Sequence, residues 1–305
     1  MKRDEFFLSV AEDVIALMRE HGKDWIKPWA SQGAPRNPLT GTTYRGMNTI
    51  LLGLTALRKH YDAPLWATLP QINKAGGAIR KGEKGVQCMF FQRRTVGEGD
   101  DERVMATVKF FWLFNILGQT TLDIPRPPVR ESTPFAAETL AWAQQMGVQI
   151  EHGGDRAYYA PALDRIQMPP APDFTSDGAY AATLFHEMVH ATGHKDRLDR
   201  FTNQSALFGN KDYALEELVA ELGAAMLCQH RNTDAAPRGD HARYLNNWVQ
   251  ALSDKPGALA TAASKATSAV SWIVTKIDGE ETIAPLGVAA GDERLPLNPS
   301  DREAA

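Results

Sequence analysis

The feature that most limits how this chain can fold is HEMVH, His186 to His190. Two histidines four apart act as a pair only on an α-helix. There, four residues turn the chain by roughly 400° and leave the rings about 40° apart on one face. In that setting they can share one cation, and Glu187, beside the first histidine, can reach a water on that cation as general base. The flanking residues agree with a buried helix: Leu184, Phe185, Met188 and Val189 are apolar, and Gly193 is a natural stop. The plain alternative is two surface histidines one turn apart by accident.

A hydrolytic metal site takes three protein ligands and keeps one position open. Three candidates for the third ligand follow the pair. His194 is one turn further on, but Gly193 ends the helix first. Asp196 completes H-E-x-x-H-x-x-G-x-x-D, the spacing of a chain that turns back under the metal. Downstream, LEELVAELGAA sets Glu217 and Glu221 four apart, on a face shared with Leu218, Ala224 and Ala225. A carboxylate pair facing inward on an apolar helix is costly to bury unless a cation meets it. On that ground Glu217 is the favoured ligand, with Glu221 behind a ligand histidine and His194 in the same outer layer. Glu216, next to them, fits a solvated acidic stripe. Two histidines and a carboxylate suit zinc, with manganese or another divalent ion as the alternative.

With H-E-x-x-H followed by E-x-x-x-E on a second helix, this part resembles the zinc-dependent metallopeptidases of the gluzincin type. The resemblance implies a zincin-like fold, a peptide carbonyl polarised by the metal, attack by an activated water, and proton handling by Glu187. It also makes AYYAPALDRIQMPP the edge strand that aligns a substrate. Tyr158 or Tyr159 is then a candidate for steadying an oxyanion, although tyrosines in strands more often pack.

The chain has a second part. IPRPPVREST, Ile124 to Thr133, holds three prolines within five residues and reads as a spacer. Residues 1–130 carry 19 Lys and Arg against 13 Asp and Glu, the remainder 14 against 24. A basic half joined to an acidic half suggests two jobs, the basic one facing nucleic acid. Near the start, Phe6, Phe7, Val10, Val14, Leu17 and Met18 recur as on an amphipathic helix. Asn48 is placed to cap an apolar helix through Ile50, Leu51 and Leu54. WATLPQINKAGG reads as another helix ending at Gly76-Gly77. Val86 to Phe91 and Val104 to Phe114 flank the GEGDDE turn as a β-hairpin. No apolar run approaches the ~20 residues of a membrane span. Two cysteines build no disulfide framework, which points to the cytoplasm.

Basic and aromatic residues interleave through this half, at Trp25, Lys27 and Trp29, at Tyr44 and Arg45, and at Phe90, Phe91, Arg93 and Arg94. The glycine-punctuated loop RKGEKG adds Arg80, Lys81 and Lys84. Such pairings bind single strands: rings stack on bases and cations follow phosphates. Aromatics and arginines also coincide for packing reasons, with Phe90, Phe91, Phe110, Phe111 and Trp112 divided between core and one outer face.

The stretches PRNPLTGTTYRGMNTILL, WATLPQINKAGGAIRKGEKG and FFWLFNILGQT resemble the N-terminal domain of the ArdC-type antirestriction proteins, a domain shared with TraC-type conjugative primases. HATGH and EELVAE extend the resemblance over nearly the whole chain. The matching positions are Asn37, Gly41, Tyr44, Arg45, Gly46, Asn48, Trp66, Gln71, Arg80, Lys81, Gly82 and Lys84, of which Gly41, Gly46 and Gly82 read as turn formers.

The expectation is therefore an α+β protein of two domains. A single-stranded-DNA-binding α/β-hairpin domain spans 1–125 and a proline-rich linker 126–134. A mostly helical zincin-like metallopeptidase domain with a small sheet spans 135–285, and 286–305 is a flexible tail. The resemblance implies a cytoplasmic, plasmid-encoded protein that binds single-stranded DNA and protects incoming plasmid DNA from host restriction during conjugation. A restriction endonuclease or another protein is its possible substrate. The candidate DNA contacts are Trp25, Lys27, Trp29, Arg36, Tyr44, Arg45, Asn48, Arg80, Lys81, Lys84, Arg93 and Arg94. Two alternatives stay open: a metalloprotease whose basic domain recruits DNA-associated proteins, and a binding module with a purely structural metal.

Overall fold

The computed structural model describes residues 3–22, 34–96, 103–125, 136–201, 211–233 and 241–279. Trp25, Lys27 and Trp29, the GEGDDE turn, the proline-rich linker and the terminal tail lie outside the described residues. Arg93 and Arg94 lie on a described strand, but their side chains are outside the description.

The first helix, α1 (Arg3–His21), forms where the apolar period is three and four. Phe6, Val10, Val14, Leu17 and Met18 are all buried on it. Residues 34–46 lead into α2 (Met47–Lys59), whose N-cap is Gly46 at φ 60°. Asn48 therefore does not cap this helix. It sits inside the first turn, and its amide bonds the N–H and C=O of Met89 at 3.0 and 2.7 Å. The expected helix WATLPQINKAGG divides in two. Trp66 and Ala67 pair as a short strand, β1 (Trp66–Ala67), and only α3 (Leu69–Lys74) is helical. A capping box between Thr68 and Gln71, with proline in the first turn, starts the helix there.

The hairpin is β2 (Val86–Val96) against β3 (Arg103–Asn115), in register from Val86 opposite Leu113 to Val96 opposite Arg103. β1 adds to the other side of β3, so the order is β1-β3-β2. A short helix, α4 (Ile116–Gln119), follows. Met89 sits on the edge strand β2, so Asn48 satisfies edge groups that would otherwise invite another chain.

The second part runs α5 (Ala136–Gln144), β4 (Gln149–His152), β5 (Tyr158–Ala160), β6 (Arg165–Met168), α6 (Asp177–Ala191), α7 (Lys211–Arg231), α8 (His241–Asp254) and α9 (Gly257–Asp278). The segment expected as one edge strand folds back at Asp164, which takes φ 45°. Its second arm, β6, is central, parallel to β4 and antiparallel to β5. The edge is β5.

The fold is thus α+β, with two small sheets and a helical bulk. α6 packs on α7, and α7 on α9. Buried alanines on α9 (Ala262, Ala263, Ala266 and Ala269) allow that approach. At Gly223 of α7, a Cβ would lie 2.7 Å from Val189 Cγ2, so only glycine lets α7 come this close to α6. α1 touches the sheet of its own half through Phe6 against Phe110, but it also crosses to the other half. It lies against α8 and α9, and one apolar cluster joins Phe6, Val14 and Met18 to Leu218, Leu222, Leu259 and Ile273. Burying each such side chain contributes about 1.5–3 kcal/mol before entropy is counted. The basic and acidic halves therefore share a core.

Candidate metal centre and basic surface

Ser176 caps α6, its Oγ accepting from Ala179 N at 3.1 Å, and the helix is buried from Tyr180 onward. His186 and His190 present their Nε2 atoms to each other at 3.0 Å. Glu217, on the facing helix α7, lies 3.5 Å from His186 Nε2 and 3.4 Å from His190 Nε2. A tetrahedral zinc with bonds of about 2.0–2.1 Å sets its ligand atoms roughly 3.3 Å apart. The triangle has the right chemistry and size to hold such an ion. Among the described residues, no other three His, Cys, Asp or Glu side chains gather ligand atoms this closely.

A carboxylate lies behind each ring. His186 Nδ1 is 3.0 Å from Glu221 Oε1, off the line of a well-formed hydrogen bond. His190 Nδ1 is 3.5 Å from Glu216 Oε1. Glu216 is not on a solvated stripe: it is 3% exposed and paired with Arg200. The guanidinium of Arg200 donates to Glu216 through Nη2 at 2.7 Å and Nε at 3.2 Å. It also donates to Val189 O at 2.7 Å and Thr192 Oγ1 at 2.6 Å, and so ties off the end of α6. Arg200 and Glu216 are the residues that sequence reasoning missed. Only the doublet Glu216-Glu217 hinted at them, because consecutive helical residues face two histidines only when those straddle the doublet.

His194 does not join the outer layer. Its Nδ1 turns to Asp196, 3.5 Å from Oδ2 and 3.3 Å from the backbone N–H. The place behind His190 belongs to Glu216. Gly193 follows the helix end without a left-handed φ; a Cβ there would strike the Phe201 ring at 2.5 Å. Glu187 is buried beside the triangle. Burial alone would keep the His190 ring neutral, but the facing carboxylates of Glu216 and Glu217 outweigh it and push its pKa to about 10. Burial raises the Glu217 carboxyl, yet His186 and His190 hold it well below the usual range. The pocket is built to attract positive charge.

Of the two tyrosines, Tyr158 is exposed on β5. The Tyr159 hydroxyl donates to Asp164 Oδ1 at 2.7 Å and accepts from Arg197 Nη2 at 3.1 Å. It is committed to this network and not to an oxyanion.

Residues 136–265 match a family model described as a zincin-like metallopeptidase, and residues 5–115 match the N-terminal domain of anti-restriction factor ArdC. The metal-free crystal structure of antirestriction ArdC protein from plasmid R388 is 33% identical. It superposes with a TM-score of 0.76, covering 90% of this chain and 98% of that one. The chain belongs to the ArdC-type antirestriction family. The Mn(II)-bound form of the R388 protein is 35% identical, with a TM-score of 0.73, and covers 89% of this chain and 97% of that one. The protein y4eC of Sinorhizobium fredii, itself uncharacterized, is 33% identical over 282 residues, 88% of this chain and 91% of its own. A DNA primase TraC of Escherichia coli is 32% identical over 289 residues, which are 86% of this chain but only 26% of the primase.

On the ArdC-type N-terminal part, the predicted nucleic-acid residues divide by exposure. Arg36, Arg80, Lys81 and Lys84 are exposed, and Arg45 is half-buried. Tyr44 is turned inward, donating from its hydroxyl to Trp66 O at 3.2 Å, and Asn48 is engaged by Met89. These two build the fold. Gly41, Gly46 and Gly82 take φ of 75°, 60° and 88°, as turn formers do. Cys88 and Cys228 are both buried, and neither is in a disulfide. No helix among the described residues is long and apolar enough to cross a membrane.

Proposed function

We propose that this protein is a single-stranded-DNA-binding antirestriction factor with a metal-dependent peptidase module. It protects incoming plasmid DNA in the recipient cytoplasm. The observation that carries the metal-dependent part is the His186–His190–Glu217 triangle, with sides of 3.0 to 3.5 Å, set in a helical core. A divalent cation, zinc or manganese, supplies Lewis acidity there when bound. The chain does the rest. His186, His190 and Glu217 hold the ion, Glu221 and Glu216 orient the rings, and Glu187 takes and returns the proton of a hydrolytic step. The exposed Arg80, Lys81 and Lys84 supply cations for phosphates on the other half. R388 ArdC, which has been crystallised with Mn(II), supports the choice of a divalent ion.

The test is plasmid transfer into a restricting host, with and without the full chain, beside strand-binding measurements on the same protein. Protection by the wild type, with tighter binding to single strands than to duplex, is the expected result. Equal binding to both forms, or transfer unaffected by the protein, overturns the reading. Glu187→Gln separates the parts: it keeps strand binding and abolishes peptide hydrolysis.

A further inference from the structure

We infer that Trp112 is a base-stacking platform for single-stranded DNA and that the turn Arg80–Gly85 is the phosphate-binding wall beside it. The inference rests on the single-strand reading above and gives it a place.

Trp112 lies on β3 opposite Gln87 and is 42% exposed. Its neighbours on the same face of the strand are partly buried. Phe110 packs edge-on against Phe6 of α1 at 5.1 Å, and Phe114 belongs to the cluster around Leu65 and Ile116. An exposed indole between two partly buried rings can be chance, since single exposed apolar groups are common. The adjoining turn is what gives it meaning.

That turn is built and anchored. Arg80 N–H bonds Gln119 O at 2.9 Å, and Arg80 Nη1 bonds Gly118 O at 3.2 Å. Gly82, at φ 88°, closes the turn. The Gln119 side chain, 2% exposed, is fully engaged. Its oxygen accepts from Asn115 N at 2.8 Å, and its nitrogen donates to Glu83 Oε2 and to Lys84 O, each at 2.9 Å. The one acidic side chain of the turn, Glu83, is exposed but tied to Gln119, and Arg80, Lys81 and Lys84 are exposed beside it. Gly85 then lies flat on β3. A Cβ there would sit 3.1 Å from Trp112 Cβ and 2.9 Å from the Phe114 ring. This close approach sets the end of the turn against the strand that carries the open indole.

An exposed ring on the strand against which a turn with three exposed cations ends fits a base and its phosphates. The strand must be single, because a duplex keeps its base faces stacked inside, whereas lysines alone meet either form alike.

The experiment uses the full-length chain and a fluorescein-labelled oligothymidylate, read by anisotropy across a salt series with duplex as comparison. Trp112→Ala should weaken single-strand binding on the order of tenfold and leave the salt slope unchanged, while Trp112→Tyr should restore most of the affinity. Lys81→Gln with Lys84→Gln should flatten the slope, by about 0.7 for each phosphate no longer neutralised. As a measurement that needs no variant, a 5-iodouracil strand irradiated on the wild type should crosslink to Trp112. If the wild type binds the strand but Trp112→Ala binds equally well, or weakens on duplex and single strand alike, the platform is refuted. A crosslink that maps away from β3 refutes it too. If the wild type shows no single-strand binding, the broader reading fails first.

Discussion

Removing Arg200 should destabilise the protein more than any surface change, for a reason visible in its contacts. Its side chain is 6% exposed, and that of Glu216 is 3% exposed. Arg200→Met keeps much of the volume but strands the Glu216 carboxylate without the guanidinium that bonds both its oxygens. It also takes donors from Val189 O and Thr192 Oγ1. Breaking a buried pair from one side costs about 3–5 kcal/mol. At about 2–4 °C per kcal/mol, the melting temperature should fall by roughly 6–20 °C. The lesion is mostly the stranded charge, so adding Glu216→Gln to Arg200→Met should recover a substantial part. Thermal unfolding by circular dichroism, with chelator in every sample, measures this without interference from bound metal. A single variant within about 1 kcal/mol of wild type would refute the reasoning. So would a double variant no more stable than Arg200→Met.

Three other outcomes follow from the same contacts. Glu217→Ala should lose more than about 100-fold in divalent-metal affinity, measured by competition with a chelating dye, because it removes a ligand where an orienting residue alone is worth about 10–100-fold; full metal retention would rule out Glu217 as ligand. Asn48→Ala should cost about 1–3 kcal/mol in urea titration, since the edge groups of Met89 are left without either partner. The hydrogen bond from Arg197 draws the Asp164 carboxyl down to about 2 from an ordinary 3.8. A depressed carboxyl stabilises above its unfolded pKa and loses that contribution as pH falls through the folded one. The gap between wild type and Asp164→Asn should therefore be constant above pH 4 and close between about 4 and 2 on acid titration; a gap unchanged at pH 2 would refute the assignment.

What could be read from the sequence was local or periodic. Histidines four apart need no partner to declare a helix face, and a glutamate pair amid Leu218, Val219 and Ala220 is anomalous within one turn. The hairpin showed itself as two apolar runs about a charged turn. What could not be read depended on partners set by the chain path. Arg200 reaches Glu216 from a turn 16 residues earlier in the sequence. Asn48 looked like a cap because caps and strand-edge clamps use the same amide. The stripe of α1 announces burial but not what buries it, and it packs across a boundary that charge and prolines had suggested. β6 is central because β4 pairs with it in parallel, a choice made by long-range packing and invisible in alternation.

The metal centre follows from the way charge is distributed between α6 and α7. Glu216 is answered by Arg200, so its second role, facing His190 Nδ1, leaves no unbalanced charge. Glu217 faces both Nε2 atoms, and Glu221 faces His186 from behind. The facing carboxylates of Glu216 and Glu217 favour a proton on His190, whose pKa rises to about 10. A divalent cation held by His186, His190 and Glu217 would have to displace that proton, since a metal-binding imidazole is neutral. Ion and proton are alternative ways to satisfy the same buried charge. Gly223 makes the competition possible, because without its close approach to Val189 the carboxylates of α7 would not reach the rings of α6.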